Sequence, residues 1–384
     1  MLGVLGLLLA LAAGGSGCTF MQRALSWPTL DPLLDEEWYC PCDPVPGDPQ
    51  AAPLEGPAGG PLIPRPTLER MADYARRNDS CALLVLHRGR IVLERYWCGL
   101  DRAHRVNAWS MAKTVTALVV GAALERGWLR SLDQTLDTWL PEWAGDARGR
   151  ITLRQLLQMN SGLGIGNMIR IHIGTEARRA VLDTPLARPP GEAFRYNNVN
   201  SLLLGMVLER ATGRRYAELL DALIWRPLGA GPARVWLDKP GGTAKTYCCL
   251  LATARDWARV GLLLVHQGRF AGRQLVSRRW VERMLRPSPL EQNYGLHLWL
   301  GYTRPPGRFG DWSEPFATAD TFMLVGRDEQ RVYGVPCHDL VIVRIGHQAE
   351  HWDDPHLPNL AVAALRRHDP RLSPFQLSKI KSRQ

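Results

Sequence analysis

The sequence predicts an α+β fold: an antiparallel β-sheet built from both ends of the chain, flanked by helices, with a mainly helical region inserted between the two sets of strands. Three observations carry this. Residues 81–98 read as an early hairpin, and three short β-rich runs, 321–325, 330–335 and 340–345, return late. Between them, from about 132 to 300, apolar residues recur at helical spacing and are broken by Gly and Pro. Strands at both ends with helices between favour a sheet closed by distant segments.

The N-terminal stretch Met1 to Ala13 is almost wholly apolar and is followed by Gly14, Gly15, Ser16, Gly17 and Cys18. Short apolar runs ending in small residues mark a secretory signal, and small residues before a cysteine suit a lipoprotein site at Cys18. The expected organisation is a signal segment at 1–18, a Pro/Gly-rich linker at 19–66, a catalytic domain at 67–370 and a polar tail at 371–384. This plan places the protein outside the cytoplasm, anchored to a membrane. The formal net charge of +10 comes mostly from scattered arginine. With no zinc-finger, homeodomain or RNA-binding motif, nucleic acid is not an expected partner. No metal or organic cofactor is implied, since neither the cysteines nor His347 and His351 show a ligand spacing.

The hairpin comes first in the domain. Cys81 to Arg88 and Ile91 to Cys98 flank Gly89-Arg90, a two-residue loop with Gly first, as a type II′ turn prefers. Counting outward from an Arg88–Ile91 closing pair sets Cys81 opposite Cys98, at a non-hydrogen-bonded position where Cα atoms lie ~4.5 Å apart. A disulfide is therefore expected there. Cys248-Cys249 and Cys40-x-Cys42 have no arguable partner.

Next stands the tetrad Ser110-Met111-Ala112-Lys113, opening an apolar helix that runs through Leu124 to Arg126-Gly127. One helical turn puts the Ser110 hydroxyl and the Lys113 amine on one face. A serine needs a base beside it, which a lysine of depressed pKa can supply, and helix N-terminal N–H groups suit an oxyanion. The chain has five lysines and thirteen serines, so chance would give roughly 0.2 such tetrads. Ser378 to Lys381 shares the spacing in a polar tail and means nothing. The apolar run after Lys113 distinguishes the first tetrad. The last apolar helix, about Leu360 to Arg367, is expected to cover the sheet.

With these residues in place, the chain resembles the serine β-lactamase and penicillin-binding-protein superfamily. It is most similar to the branch holding class C β-lactamases, esterases and 6-aminohexanoate-dimer hydrolases. The resemblance spans about 67–346. It rests on the Ser110 tetrad, Ile151 to Leu163, Pro190-Gly191 followed by Tyr196-Asn197-Asn198, Arg226 to Gly229, and Ala252 to Arg259. It implies that Ser110 attacks a carbonyl and Lys113 shuttles its proton. Tyr196, its pKa lowered by Lys113, would be the second base and would protonate the leaving group. Asn198 would hydrogen-bond Lys113 or the substrate. Relatives carry Lys-Thr-Gly or His-x-Gly on an edge strand, and the segment Thr321 to Gln330 has neither. Gly326 and Gln330 resemble a Gly-x-x-Gly-Gln pattern with Glu329 in place of a glycine, and the Gly326 N–H is expected to complete the oxyanion hole with Ser110. Only Arg327 could hold a substrate carboxylate. The resemblance thus implies an exported serine hydrolase acting on an ester, an amide or a small peptide. The alternatives are a β-lactamase or D,D-peptidase, and a non-catalytic envelope protein with a degenerate site.

Overall fold

The computed structural model describes residues 16–26, 33, 35–48, 54, 63–301 and 312–368. The expected signal segment before Ser16 and the polar tail at 371–384 lie outside the described residues. Among the described residues twelve strands form, in order β1 Cys42–Val45, β2 Ser80–His87, β3 Arg90–Tyr96, β4 Val106–Asn107, β5 Ala233–Trp236, β6 Leu250–Ala252, β7 Arg269–Phe270, β8 Arg273–Gln274, β9 Trp299–Leu300, β10 Phe322–Val325, β11 Arg331–Val335 and β12 Leu340–Gly346. The helices are α1 Ser16–Ser26, α2 Arg65–Arg77, α3 Ala112–Glu125, α4 Leu153–Leu157, α5 Met168–His172, α6 Ala177–Leu182, α7 Asn198–Thr212, α8 Tyr216–Leu220, α9 Ala254–Val265, α10 Arg278–Met284 and α11 His356–His368.

The main sheet has the order β3-β2-β12-β11-β10-β9, every pair antiparallel. It joins the chain's two ends, as the strand pattern predicts. Strands β2 and β12 are buried along their whole length, and alternation divides their side chains between two cores. Leu84, Leu86, Val341 and Val343 pack with Trp257 and Leu262 of α9. Leu83, Val85, Leu340 and Ile342 pack with Leu68 and Met71 of α2 and Leu357 and Leu365 of α11. A strand covered on both faces reads as a continuous apolar run, which is what Ala82 to Leu86 shows.

The Cys81–Cys98 disulfide forms, with Cα atoms 5.2 Å apart, but by a different register from the one expected. The turn is Arg88-Gly89, both at positive φ (52° and 74°), closed by His87 opposite Arg90. Two left-handed residues make a type I′ turn. A bulge then follows between Val85 and Leu86, and Cys81 O accepts from Trp97 N–H at 2.8 Å. Cys98, at φ 57°, turns back to reach Cys81.

The linker assignment is also corrected. Strand β1 pairs with β5 in a second sheet ordered β1-β5-β6-β4. Arg23 of α1 is buried, donating to Asp238 O at 2.9 Å, Cys40 O at 3.1 Å and Leu237 O at 3.3 Å. Its guanidinium lies 5.0 Å from the Trp236 ring, while Trp38 and Tyr39 pack on the same indole. One cation satisfying several carbonyl groups, and two aromatics, hold this segment to the domain. No helix among the described residues is long and apolar enough to cross a membrane.

Candidate active site

The Ser110 turn is fixed from both sides. Strand β4 delivers Asn107, whose Oδ1 accepts from Trp109 N–H at 2.9 Å and Cys249 N–H at 3.1 Å. Trp109 sits at φ 49°, a conformation costly for a bulky residue and typical of a site held by its surroundings. A 3-10 turn, Trp109–Met111, leads directly into α3. That helix is buried on all sides from Ala112 to Ala123, as its uniformly apolar sequence requires.

Lys113 Nζ lies 2.7 Å from Ser110 Oγ and donates to Tyr247 O at 2.8 Å. Among the described residues no carboxylate pairs with it, and burial pushes its pKa well below the ordinary lysine value. Desolvation thus favours the neutral amine, the form able to accept a proton. His297 is buried nearby, Nε2 at 2.9 Å from Ser201 Oγ and Nδ1 at 3.0 Å from Leu157 O. Burial, with Lys113 adding a smaller effect, lowers its pKa to about 3.

Tyr196 hydrogen-bonds Ser110, and burial raises its pKa above the usual phenol value. The expected lowering by Lys113 is not seen: the amine lies 4.8 Å from the ring, but desolvation dominates at both groups, pushing the lysine down and the phenol up and so favouring their uncharged forms. The Tyr196 ring stacks on Trp299 at 5.6 Å and meets Tyr294 edge-on at 6.1 Å. Asn197 caps α7 through Val199 N–H and donates to Leu163 O and Gly164 O at 3.1 and 2.8 Å, anchoring the Tyr-Asn-Asn turn. Asn198 does not reach Lys113, whose partners are Ser110 and Tyr247; it lines the cavity beside Ser110.

Gly326 departs from expectation. Its N–H donates to Gln330 O at 2.8 Å, because the chain reverses here with Asp328 and Glu329 at φ 57° and 52°. Glu329 adopts the left-handed conformation that favours glycine, and its carboxylate accepts from Ala349 N–H at 3.0 Å. Glycine is required at 326 for another reason: a Cβ there would stand 2.3 Å from Ala108 O. The end of β10 can therefore lie directly against the Ser110 turn.

The cavity over Ser110 measures about 470 Å³ and includes Trp109, Met168, Ile169, Ile173, Ala24 and Arg327 in its wall. Its apolar side comes from α5 and α1. Lys245 Nζ donates to Ile171 O at 2.8 Å and also to His172 O, so a buried lysine amine holds the C-terminal end of α5. A second cavity of about 550 Å³ is lined by Glu176, Arg178, Glu209, Arg210, Arg215 and Lys239 among others, and none of the candidate site residues borders it. Among the described residues, one trio of metal-type donors lies mutually within 4.8 Å: Cys81, Cys98 and His347. Two of the three are spent in the disulfide.

Sequence reasoning missed Asn107, Ala24 and the segment Lys245 to Cys249 as parts of the site. One signal was available for the last: Lys245 is the lone charged residue between Gly241 and Ala254 and one of only five lysines.

A serine–lysine pair at the head of a buried helix, a tyrosine beside it and an antiparallel sheet joined from both chain ends define the class. The chain belongs to the Beta-lactamase family, whose pattern it matches over residues 67–365. It is similar to a 6-aminohexanoate-dimer hydrolase of Paenarthrobacter ureafaciens, 29% identical over 239 residues, covering 56% of this chain and 60% of the relative. Esterase EstB of Burkholderia gladioli is 33% identical over 141 residues, 31% of this chain and 36% of the esterase. The alignments thus span under two thirds of either relative. A solved Bacillus anthracis structure assigned as a 6-aminohexanoate-dimer hydrolase superposes with a TM-score of 0.70 at 21% identity, covering 90% of this chain and 95% of that one.

Proposed function

We propose that the protein is a serine hydrolase that cleaves esters or amides of an apolar acyl group through an acyl-enzyme on Ser110. The observation that carries this is the 2.7 Å contact between Ser110 Oγ and a buried lysine with no acidic partner among the described residues. The neutral Lys113 amine takes the Ser110 proton as the oxygen attacks the carbonyl carbon. Met111 and Ala112 N–H are bonded within the 3-10 turn, so the Ser110 N–H at the head of the helix is assigned the first donor to the negative charge on the carbonyl oxygen. Since Gly326 N–H is engaged, the backbone of Arg327, the next residue and part of the cavity wall, is assigned the second donor. Tyr196, protonated at neutral pH, gives its proton to the departing oxygen or nitrogen and recovers one from Lys113. Water then repeats the sequence in reverse, and Asn198 orients the substrate from the cavity wall. The Met168, Ile169 and Ile173 side favours an apolar acyl chain. The names of the relatives, an esterase and a 6-aminohexanoate-dimer hydrolase, support a hydrolase reading.

Export and attachment through Cys18 belong to the same reading, supported by the apolar Met1 to Ala13 run and the small residues that follow. Intact mass of the protein recovered from a bacterial membrane fraction tests them: an acylated N-terminal Cys18 is expected, and an unprocessed chain refutes it. The catalytic reading is tested by time-resolved intact mass and hydrolysis with an aryl ester, a D-amino amide and a penicillin, comparing Ser110→Ala. A transient Ser110-dependent adduct with turnover of ester or amide is expected. A persistent penicillin adduct assigns a penicillin-binding protein instead, and no adduct with any probe assigns a binder.

A further inference from the structure

Cys248 and Cys249 are bonded to each other, and this vicinal disulfide stands between two contacts that hold the reacting groups. On its N-terminal side Tyr247 O accepts from Lys113 Nζ at 2.8 Å, while Tyr247 Oη lies 2.6 Å from His172 Nδ1. On its C-terminal side Cys249 N–H donates at 3.1 Å to Asn107 Oδ1, the oxygen that also accepts from Trp109 N–H. Trp109 immediately precedes the nucleophile. Cys248 lines the cavity, and Cys249 is fully buried at φ 68°. One peptide unit, closed into a small ring by its own side chains, thus connects the general base to the nucleophile turn.

We infer that the Cys248–Cys249 disulfide is a positioning element of the acyl-transfer site, setting the Tyr247 carbonyl against Lys113 and the Cys249 amide against Asn107. This rests on the acyl-enzyme reading above. A dithiol reductant opens the bridge by delivering two electrons and two protons: the S–S bond breaks, two S–H bonds form, and the reductant becomes a cyclic disulfide. Opening the ring frees the peptide unit between Cys248 and Cys249 from its side-chain constraint, and a displacement of about 1 Å costs on the order of tenfold to a hundredfold in rate when it separates reacting groups.

The test measures the acylation rate constant of Ser110 with a p-nitrophenyl ester by stopped flow, alongside KM and the pH profile. It is run on oxidised protein, on protein reduced with dithiothreitol, and after reoxidation. The Cys81→Ser/Cys98→Ser variant, which keeps only the vicinal bridge, is treated in the same way, and Cys248→Ser/Cys249→Ser is the direct variant. Reduction is expected to lower acylation about tenfold to a hundredfold, reversibly and equally in the hairpin variant, with the near-ultraviolet dichroism retained. KM for a small ester stays within about twofold and the acid limb of the pH profile moves, neither of which general loosening of the fold would produce. The direct variant is slow at the outset and indifferent to reductant. Equal acylation before and after reduction overturns the inference while leaving the hydrolase reading intact. Absence of a Ser110 adduct in the oxidised protein overturns both. If the direct variant fails to fold, the reduced hairpin variant decides the matter.

Discussion

Replacing Tyr196 by Phe removes one oxygen and keeps the ring stacked on Trp299 and against Tyr294. Two losses follow, and they separate by leaving group. The hydrogen bond to Ser110 disappears for every substrate; at ~1 kcal/mol that is roughly a fivefold effect. Proton donation disappears only where the leaving group needs a proton, and general acid catalysis contributes about 10²–10⁴-fold, or ~2.7–5.5 kcal/mol. The expected outcome is therefore a loss under about tenfold on p-nitrophenyl butyrate and a loss of about 10³-fold on ethyl butyrate, which share an acyl group. Steady-state hydrolysis of the two esters measures the difference. The hydroxyl's other bonding partner, Ser110, retains Lys113 at 2.7 Å, so the melting temperature should barely change. An equal loss on both esters refutes the assignment of Tyr196 as the acid. Because burial raises the phenol's pKa, kcat/KM should also show no basic limb from Tyr196 up to about pH 10, the ordinary phenol value.

Lys113→Met should abolish acylation without lowering the melting temperature. The unfolded chain holds a proton on this amine that the folded chain, with its pKa pushed down by burial, gives up at a cost, and methionine has no charge to desolvate. A clear fall in melting temperature would contradict that. His172 and His297, both lowered to about 3, should make stability fall as pH drops from about 6.5 toward 3, where only the unfolded state binds their protons. The limiting slope is ~1.4 kcal/mol per pH unit for each imidazole; urea titrations across that window should show it, and flat stability would refute the buried neutral assignment. Gly121→Ala places a Cβ 2.2 Å from Trp280 Nε1, an indole that donates to Ala117 O at 3.1 Å. Overpacking of about 1–3 kcal/mol should exceed the ~1 kcal/mol gain in helix propensity, giving a lower urea midpoint.

What could be read from the chain was whatever its periodicity or local spacing encodes. Strands 322–325, 331–335 and 340–346 announced themselves as short β-branched runs between turn residues, and the Ser110 helix as an apolar run with one lysine a turn from its start. The hairpin shows the boundary of that method. Its disulfide was legible, yet the type I′ turn and the bulge compensated for one another, and no local rule distinguishes Gly89-Arg90 from Arg88-Gly89 when both contain the glycine. Long-range contacts were not legible at all. Arg23 reaches carbonyls more than two hundred residues away, and the Tyr247 carbonyl meets Lys113 across 134 positions, through main-chain atoms that carry no residue signature. Gly326 was identified as important for the wrong reason: its value lies in what it lacks, a Cβ that would strike Ala108, and not in its N–H.

The sheet that joins the chain's two ends gives this protein a safety latch during synthesis. Ser110 is translated early, yet β2, just before it and already paired with β3, gains its second neighbour only when β12 at Leu340–Gly346 arrives, and the backbone packed against Ala108 beside Ser110 comes from Gly326. Contacts of such long sequence separation form late and slowly. On the proposed mechanism, a ribosome-bound or prematurely terminated chain would carry the serine and lysine without the sheet that frames them, and loss of β12 should leave no hydrolase activity rather than a weak one.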